Sequence, residues 1–133
     1  MVAWPVAMGA SVVEREQNHA VWTSAVYLLA SAICHQRPER SFWTSGVRWP
    51  VCARCSGLYI AAPLGALFAL AGGRVATDRT RTRVVVVLLG LPTLITFLIE
   101  AAGIAHVPNL ARAVAAVPLG AAIGWLLIRA AHE

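Results

Sequence analysis

The chain contains no lysine; all eleven of its basic residues are arginine, and only 13% of its 133 residues are charged. Soluble domains carry about 25% charged residues, so this low share argues against a soluble, nucleic-acid-binding or disordered protein. Apolar residues instead make up 59% of the chain, against roughly 45–50% in soluble domains. Because they occur in long blocks, we predict a single integral membrane domain over residues 1–133, with the lipid bilayer as its partner and no nucleic acid.

Four apolar stretches can be marked off, over residues 20–33, 58–70, 84–105 and 110–131. A transmembrane helix needs about 20 apolar residues to cross a hydrocarbon core of about 30 Å. Only the last two stretches reach that length, and the first two need their flanking residues. We therefore predict an all-α bundle of about four transmembrane helices, with an irregular segment rich in Cys, His and Arg between the first two. A shallow re-entrant hairpin formed by the first two stretches is the alternative.

The orientation is predicted from the arginines. Residues 1–18 form an N-terminal segment whose apolar beginning lacks the preceding basic residues of a signal peptide, so we expect it to be retained. Residues 74–83 form a compact basic loop, and such loops stay on the cytoplasmic side of a membrane. We expect a bacterial cytoplasmic membrane protein with its N-terminus inside.

Small residues recur every four positions in two of the stretches. They are Gly57, Ala61, Gly65 and Ala69 in the second stretch and Ala116, Gly120 and Gly124 in the fourth. Residues at this spacing lie on one face of a helix, where small side chains let two backbones approach closely within a membrane. The pattern predicts tight packing inside the bundle, with a dimer contact as the alternative.

The residues that carry chemistry are concentrated in the segment 34–57, between the first two stretches. It contains all three cysteines of the chain, Cys34, Cys52 and Cys55, and the histidine His35. A Cys-x-x-Cys pair together with a Cys-His pair offers three sulfurs and one imidazole, a donor set suited to zinc. We predict that these four residues bind zinc. If His35 turns away, water or a substrate takes the fourth position, and the site is catalytic instead of structural.

Two other interpretations of the cysteines remain open. Arg54, inside the Cys-x-x-Cys pair, gives a reason for a lowered thiol pKa, and Cys34 could resolve a mixed disulfide, so the segment also fits a thiol–disulfide oxidoreductase. Alternatively, an inert disulfide and a buried thiol hold two spans together. An extracytoplasmic location favours disulfides, whereas a cytoplasmic one favours metal binding.

Arginines in the same segment are candidates for binding an anion, because a guanidinium group contacts phosphate or carboxylate through two parallel hydrogen bonds. They are Arg37, Arg40, Arg48 and Arg54. At this depth the anion would be a lipid head group or an isoprenoid phosphate. The alternative is that these side chains reach toward lipid phosphates at the surface or pair with Glu39.

Glu100 is the acidic residue well inside an apolar stretch, where an unpaired charge is costly and a functional role is the default hypothesis. Arg112 lies near the same end of the following stretch, so we predict that the two side chains meet across the hairpin. Because successive spans alternate in direction, this end is also where the cysteine segment lies. A structural Glu100–Arg112 ion pair and a role for Glu100 as a catalytic acid both remain open.

At these residues the chain resembles DUF2085, a family of small predicted membrane proteins of unknown function. The resemblance rests on Cys-His-x-x-Pro-Glu-Arg-Ser-Phe at residues 34–42 and Pro-Val-Cys-Ala-Arg-Cys-x-Gly-x-Tyr at residues 50–59. Ser56 stands where the family often has threonine, which keeps the hydroxyl. The resemblance implies that these residues act together, and it supplies no reaction.

The resulting hypothesis is a membrane protein that binds zinc at one membrane face and acts on a lipid-borne anionic substrate. Its catalytic residues would be Arg37, Arg40, Arg54 and Glu100. A thiol–disulfide oxidoreductase, and a transporter or assembly factor braced by a metal or disulfide, are the alternatives.

Overall fold

The protein is described by a computed structural model that covers residues 3–16, 20–72 and 78–131. Its elements are α1 (Ala3–Glu16), α2 (Ala20–Ser31), a 3₁₀ turn (Pro38–Arg40), β1 (Ser41–Thr44), β2 (Val47–Cys52), α3 (Ala53–Ala71), α4 (Arg79–Ala101) and α5 (Asn109–Ala131). The architecture is mostly helical, with one small two-stranded sheet. The prediction of an all-α fold is therefore corrected, because the protein also contains this β-sheet.

Three helices in the described part of the chain are long and apolar enough to cross a membrane: α3, α4 and α5. At 1.5 Å per residue, α3 extends about 29 Å and the other two about 35 Å each, which matches the hydrocarbon core. The predicted fourth span is not confirmed. Its stretch forms α2, which has 12 residues and extends only about 18 Å.

Helix α3 begins at Ala53, so the second stretch is extended by its flanking residues as predicted, and the Cys-x-x-Cys pair lies at its first turn. The boundary of the predicted basic loop moves. Helix α4 begins at Arg79, so part of the predicted basic loop is helical, while residues 73–77 lie outside the described residues. Arginine has a high helix propensity, and the run of residues 79–83 therefore continues the helix that follows it.

Helices α3 and α5 form the most extensive helix pair, and the predicted small-residue faces make it possible. A Cβ atom placed on Gly65 would collide with the carbonyl oxygen of Ala121, and one on Gly124 would collide with that of Ala62. The backbones touch at these positions, as expected for helices that associate through close packing in lipid. The predicted packing inside the bundle is confirmed.

Helix α4 packs mainly against α5, and none of its residues is buried. Thr93 of α4 donates a hydrogen bond to the carbonyl oxygen of Ala115 at 2.8 Å. The side chains along the rest of its surface are apolar, including Val87 and Leu98, both more than half exposed. A surface of this kind is suited to contact with lipid.

Helices α1 and α2 pack on each other and on β2. The predicted N-terminal segment, residues 1–18, therefore contains a helix of 14 residues. Met8, Ala30, Cys34 and Val51 form one buried cluster, with Cys52, Cys55 and Tyr59 packed against it. The two short helices thus cover the cysteine segment.

The segment between α2 and α3 folds as a β-hairpin. The turn residues Ser45 and Gly46 have φ angles of 49° and 77°, and two central residues with positive φ are typical of a type I′ turn. Strands β1 and β2 pair antiparallel, with Trp43 opposite Arg48 and an irregularity between Ser41 and Trp43. The hairpin returns the chain to α2, which places Cys52 beside Cys34.

Candidate metal centre and arginine-lined cavity

The three cysteines converge from three different elements. Cys34 follows the end of α2, Cys52 is the last residue of β2, and Cys55 lies in the first turn of α3. Their Sγ atoms all lie within 4.8 Å of one another. The backbone N–H of Cys52 donates a hydrogen bond to Cys34 Sγ at 3.2 Å. All three are free thiols in this structure.

Cys52 has a strongly acidic thiol. Hydrogen bonding from the side chain of Cys55 lowers the pKa of Cys52 to about 5, against the opposing effect of burial. Cys52 is also the N-cap residue of α3, where the positive end of the helix dipole stabilises a negative charge. A thiolate is the form of cysteine that binds metal ions.

The spacing of the sulfurs fits a soft metal ion. Three thiolates around a tetrahedral zinc ion, each about 2.3 Å from it, lie about 3.8 Å apart. The observed sulfurs, within 4.8 Å of one another, need only small side-chain rotations to reach that spacing. The donor set is suited to zinc, and soft thiolate ligands also accept copper(I) or iron.

His35, the predicted fourth ligand, lies apart from the three sulfurs. Its side chain is exposed, and its ring nitrogens are not within the group of converging ligand atoms. The adjacent Cys34 thiol joins the other two sulfurs, whereas the His35 side chain does not. The chain turns sharply at the next residue, Gln36, whose φ is 47°. His35 nevertheless lines the cavity in front of the cysteines.

The turn at Gln36 is tied to both neighbouring elements. The Gln36 side-chain amide donates to the Tyr27 carbonyl oxygen at 2.7 Å, and Arg48 Nη1 donates to the Gln36 carbonyl oxygen at 3.0 Å. The Tyr27 hydroxyl in turn donates to the Arg48 carbonyl oxygen. These bonds hold the left-handed turn, a conformation that costs a non-glycine residue energy, and they hold Cys34 in register with Cys52.

The cysteines form one wall of a cavity of about 420 Å³. Its other walls carry charged and aromatic groups from the segment that follows α2 and from α3, α4 and α5. Besides the three cysteines and His35, the lining residues are Ile33, Gln36, Arg37, Arg40, Arg54, Phe97, Glu100, Ala101 and Arg112. A second cavity of about 400 Å³ shares Arg40, Glu100 and Arg112 and is also lined by His106.

Glu100 connects two of these arginines. Its Oε1 accepts hydrogen bonds from Arg112 Nε at 2.6 Å and from Arg112 Nη2, and its Oε2 accepts one from Arg54 Nη2 at 2.7 Å. The predicted contact between Glu100 on α4 and Arg112 on α5 is confirmed. The predicted proximity of Glu100 to the cysteine segment is also confirmed. The participation of Arg54 was not predicted, because it depends on where α3 begins.

The remaining predicted arginines are placed differently. Among the described residues the ion pairs are those of Glu100, so neither Arg37 nor Arg40 has an acidic partner there, and the pairing of an arginine with Glu39 is not observed. Both line the cavity, whereas Arg48 is not part of its lining. Arg54 Nε is buried without a hydrogen-bond partner in the described part of the chain.

Asn109 is a residue of the site that the sequence analysis missed. Its Nδ2 donates to the Ser41 carbonyl oxygen at 3.1 Å, and its Oδ1 accepts from Arg112 Nη1 at 2.7 Å. It therefore links the start of β1 to the ion-pair network. Its sequence signal was weak, since an asparagine at the start of a helix is ordinary.

Comparison with known proteins places the chain in a family. The model of the family described as predicted membrane protein (DUF2085) matches residues 34–126. The chain belongs to the DUF2085 family. The match begins at Cys34 and extends through α5 to within a few residues of its end, so it includes the cysteines, the arginines of the cavity and Glu100. The predicted resemblance is confirmed.

Two archaeal relatives are similar to this chain. An uncharacterised protein of Methanothermobacter thermautotrophicus is 33% identical over 95 residues, which cover 71% of this chain and 83% of that protein. An uncharacterised protein of Methanocaldococcus jannaschii is 48% identical over 40 residues, which cover 30% of this chain and 26% of that protein. The match therefore spans about a quarter of the second relative. No solved structure shows a significant match.

Proposed function

We propose that this protein is a membrane metalloprotein in which Cys34, Cys52 and Cys55 bind a zinc-type ion, and in which the adjoining cavity receives the anionic head group of a lipid-borne substrate. The observation that carries the proposal is the convergence of three sulfurs within 4.8 Å in the wall of an arginine-lined cavity. Structural zinc sites are closed by four protein ligands, whereas catalytic sites keep one position open. Three sulfurs facing a cavity resemble the open kind.

Charge supports an anionic ligand. Four arginines and one glutamate line the cavity, for a formal charge of +3. Three thiolates and a divalent ion would together contribute −1, which leaves +2. A phosphate monoester carries a negative charge of nearly this size at neutral pH, so it would balance the site.

The arginines of the cavity would have different roles in binding the substrate. Arg37 and Arg40, which have no acidic partner among the described residues, would bind phosphate oxygens through charge-assisted hydrogen bonds. Arg54 is held by Glu100 through one nitrogen, while its buried Nε has no partner in the described structure. Both oxygens of Glu100 accept hydrogen bonds from arginines, which supports a positioning role over that of a proton donor.

The bound metal would supply Lewis acidity or an activated water molecule. The arginines of this chain would bind the substrate phosphate and stabilise negative charge that develops on it. The exposed apolar surfaces of the spanning helices would keep the acyl or isoprenoid part of the substrate in the bilayer. His35, at the cavity wall, would be available as a fourth ligand or as a proton acceptor.

The first test is elemental analysis of the detergent-purified protein, with free thiols counted under denaturing, non-reducing conditions. We expect about one zinc ion per chain and three free thiols. Cys34→Ser, Cys52→Ser and Cys55→Ser should each abolish retention of the metal, whereas His35→Ala should retain it. Absence of metal in the wild-type protein, with a single free thiol, would contradict the metal site.

The anionic ligand is tested separately with a short-chain lipid phosphate and the zinc-loaded protein. We expect binding, and weaker binding in Arg37→Gln and Arg40→Gln, with zinc content unchanged. Arg81→Gln is the matched control, because Arg81 is exposed at the start of α4 and does not line the cavity. Equal binding by all three variants and the wild type would contradict the anion site and leave the metal site standing.

A thiol–disulfide oxidoreductase is the second candidate. The arginines at the start of α4 predict that this end of the helix lies on the cytoplasmic side. The cysteines, at the other end, would then lie on the extracytoplasmic side, where disulfides form. Two thiols would be oxidised to a disulfide while a disulfide in a partner protein is reduced to two thiols. In this case one of the three cysteine variants, and only one, should accumulate mixed disulfides.

A further inference from the structure

A second basic pocket lies at the other end of the membrane-spanning helices. It has a volume of about 250 Å³ and is formed between the first turns of α4 and the last turns of α5. Arg79, Thr82 and Arg83 contribute from α4, and Trp125 and Arg129 from α5. Three cations line it, and the described residues that line it include no acidic side chain. Neither the cysteines nor the residues of the proposed anion site take part.

The pocket is far from the cysteine cavity. Arg83 and Glu100 are 17 positions apart on α4, which corresponds to about 26 Å along a helix axis. The two sites therefore lie at opposite faces of the bilayer. A ligand of the second pocket cannot be the substrate of the first in the same binding event.

The groups of the pocket are arranged for an anion. The guanidinium carbon of Arg129 lies 4.6 Å from the centre of the Trp125 ring, a cation–π contact. This contact holds the Arg129 guanidinium against Trp125, in the pocket that Arg79 and Arg83 also line. The pocket also lies at the N-terminus of α4, where the helix dipole adds positive potential.

The surroundings indicate that the anion belongs to a lipid. Immediately after Arg83, the surface of α4 becomes apolar and remains exposed: Val84, Val87 and Leu88 are 53%, 64% and 56% exposed. The arginines therefore lie where the hydrocarbon region begins, at the level of phospholipid phosphates. Tryptophan is enriched at this interface, and Trp125 lies at it.

We propose that this pocket binds the phosphate of an anionic phospholipid, with the lipid's acyl chains along the exposed apolar surface of α4. Basic pockets between transmembrane helices on the cytoplasmic side recognise anionic head groups in this way. The lipid would bridge α4 and α5 at this end of the two helices. The inference does not depend on the proposed function of the cysteine site.

The test is native mass spectrometry of the full chain, released from detergent with phosphatidylglycerol or phosphatidylcholine. We expect retention of phosphatidylglycerol in preference to phosphatidylcholine. Arg83→Gln and Arg129→Gln should each weaken retention about fivefold or more. Arg81→Gln, which removes the same charge from the same turn but does not line the pocket, should change it less than twofold.

Three outcomes would overturn the proposal. Equal losses in the Arg81, Arg83 and Arg129 variants would indicate a general surface charge effect without a specific pocket. Equal retention of the two lipids would exclude recognition of the anionic head group. Displacement of phosphatidylglycerol by millimolar inorganic phosphate would identify a soluble phosphate as the ligand. Thermal unfolding of each variant, expected to match the wild type because these side chains are not buried, checks that the fold is intact.

Discussion

Glu100 of α4 and Arg112 of α5 form a two-pronged ion pair, in which Nε and Nη2 of the arginine both donate to Oε1 of the glutamate. The Arg112 side chain is 2% exposed and that of Glu100 is 6% exposed. The pair therefore joins two spanning helices at the face where the cysteine cavity opens. The other carboxylate oxygen of Glu100, Oε2, accepts a hydrogen bond from Arg54, which adds α3 to the contact.

Removing one member of this pair should be strongly destabilising. In Glu100→Gln the buried charge of Arg112 loses its acidic partner, and in Arg112→Gln the buried carboxylate of Glu100 keeps only Arg54. We expect either change to cost about 3 kcal/mol. We expect a lower apparent melting temperature for the detergent-solubilised protein, with a smaller decrease for Arg54→Gln because Arg54 is more exposed. Glu39→Gln is the control, since Glu39 is exposed and should have little effect. Similar melting temperatures for all four variants would show that the network does not hold the helices together.

The α3–α5 contact predicts a contrast between two glycines. In Gly124→Ala the new methyl group collides with the backbone of α3 at Ala62, so the helices must separate. We expect a loss of about 1–3 kcal/mol, the usual cost of overpacking, measured as earlier thermal unfolding. In Gly90→Ala the nearest atom to the new methyl group is Leu119 Cδ1 at 3.7 Å, an ordinary contact. This variant should be neutral or slightly stabilised, and equal effects at the two glycines would contradict the close packing.

The hairpin turn should influence the cysteine site from a distance. Gly46 has a φ of 77°, which costs a residue with a side chain about 1 kcal/mol or more, and a β-branched residue most of all. In Gly46→Val we therefore expect weaker pairing of β1 with β2, displacement of Cys52 and reduced metal retention. Gly9→Ala is the control, because Gly9 lies in α1 with open space around its Cα. Normal zinc content in Gly46→Val would show that the hairpin does not position Cys52.

Removal of the metal should expose the thiols. With a chelator, the three cysteines of the native protein should become reactive towards an alkylating reagent, since a thiolate bound to metal is protected. The apparent melting temperature should decrease at the same time, because an ion that binds only the folded state stabilises it. His35→Ala should respond in the same way as the wild type. Equal alkylation with and without the chelator would contradict metal protection of these cysteines.

The sequence was sufficient to predict features that depend on local pattern. Runs of apolar residues predicted four membrane-spanning helices, and the described part of the chain contains three. Small residues every four positions predicted close packing inside the bundle, and the alternating direction of successive spans predicted the Glu100–Arg112 contact. The density of cysteine and arginine in residues 34–57 identified the cavity region. Each of these inferences needs only hydropathy, helical periodicity or the alternating direction of spans. All three follow from the order of residue types along the chain.

Some features were missed although the sequence contained a signal for them. Ser45-Gly46 lies between two short runs rich in aromatic and β-branched residues, a pattern that indicates a β-hairpin. The prediction of an irregular segment between the first two helices overlooks this pattern. The shortness of α2 was also visible, since its apolar stretch has fewer residues than a bilayer requires.

The sequence by itself determined the membrane class, the helix faces that pack closely and the location of the site along the chain. Only the tertiary structure decided which donors converge. Cys34 meets Cys52 because the hairpin folds back on α2, whereas the adjacent His35 lies outside the group. Arg54 joins Glu100 because α3 begins at Ala53. These contacts join residues distant in sequence, and their geometry depends on backbone angles and helix ends that no spacing of residue types specifies.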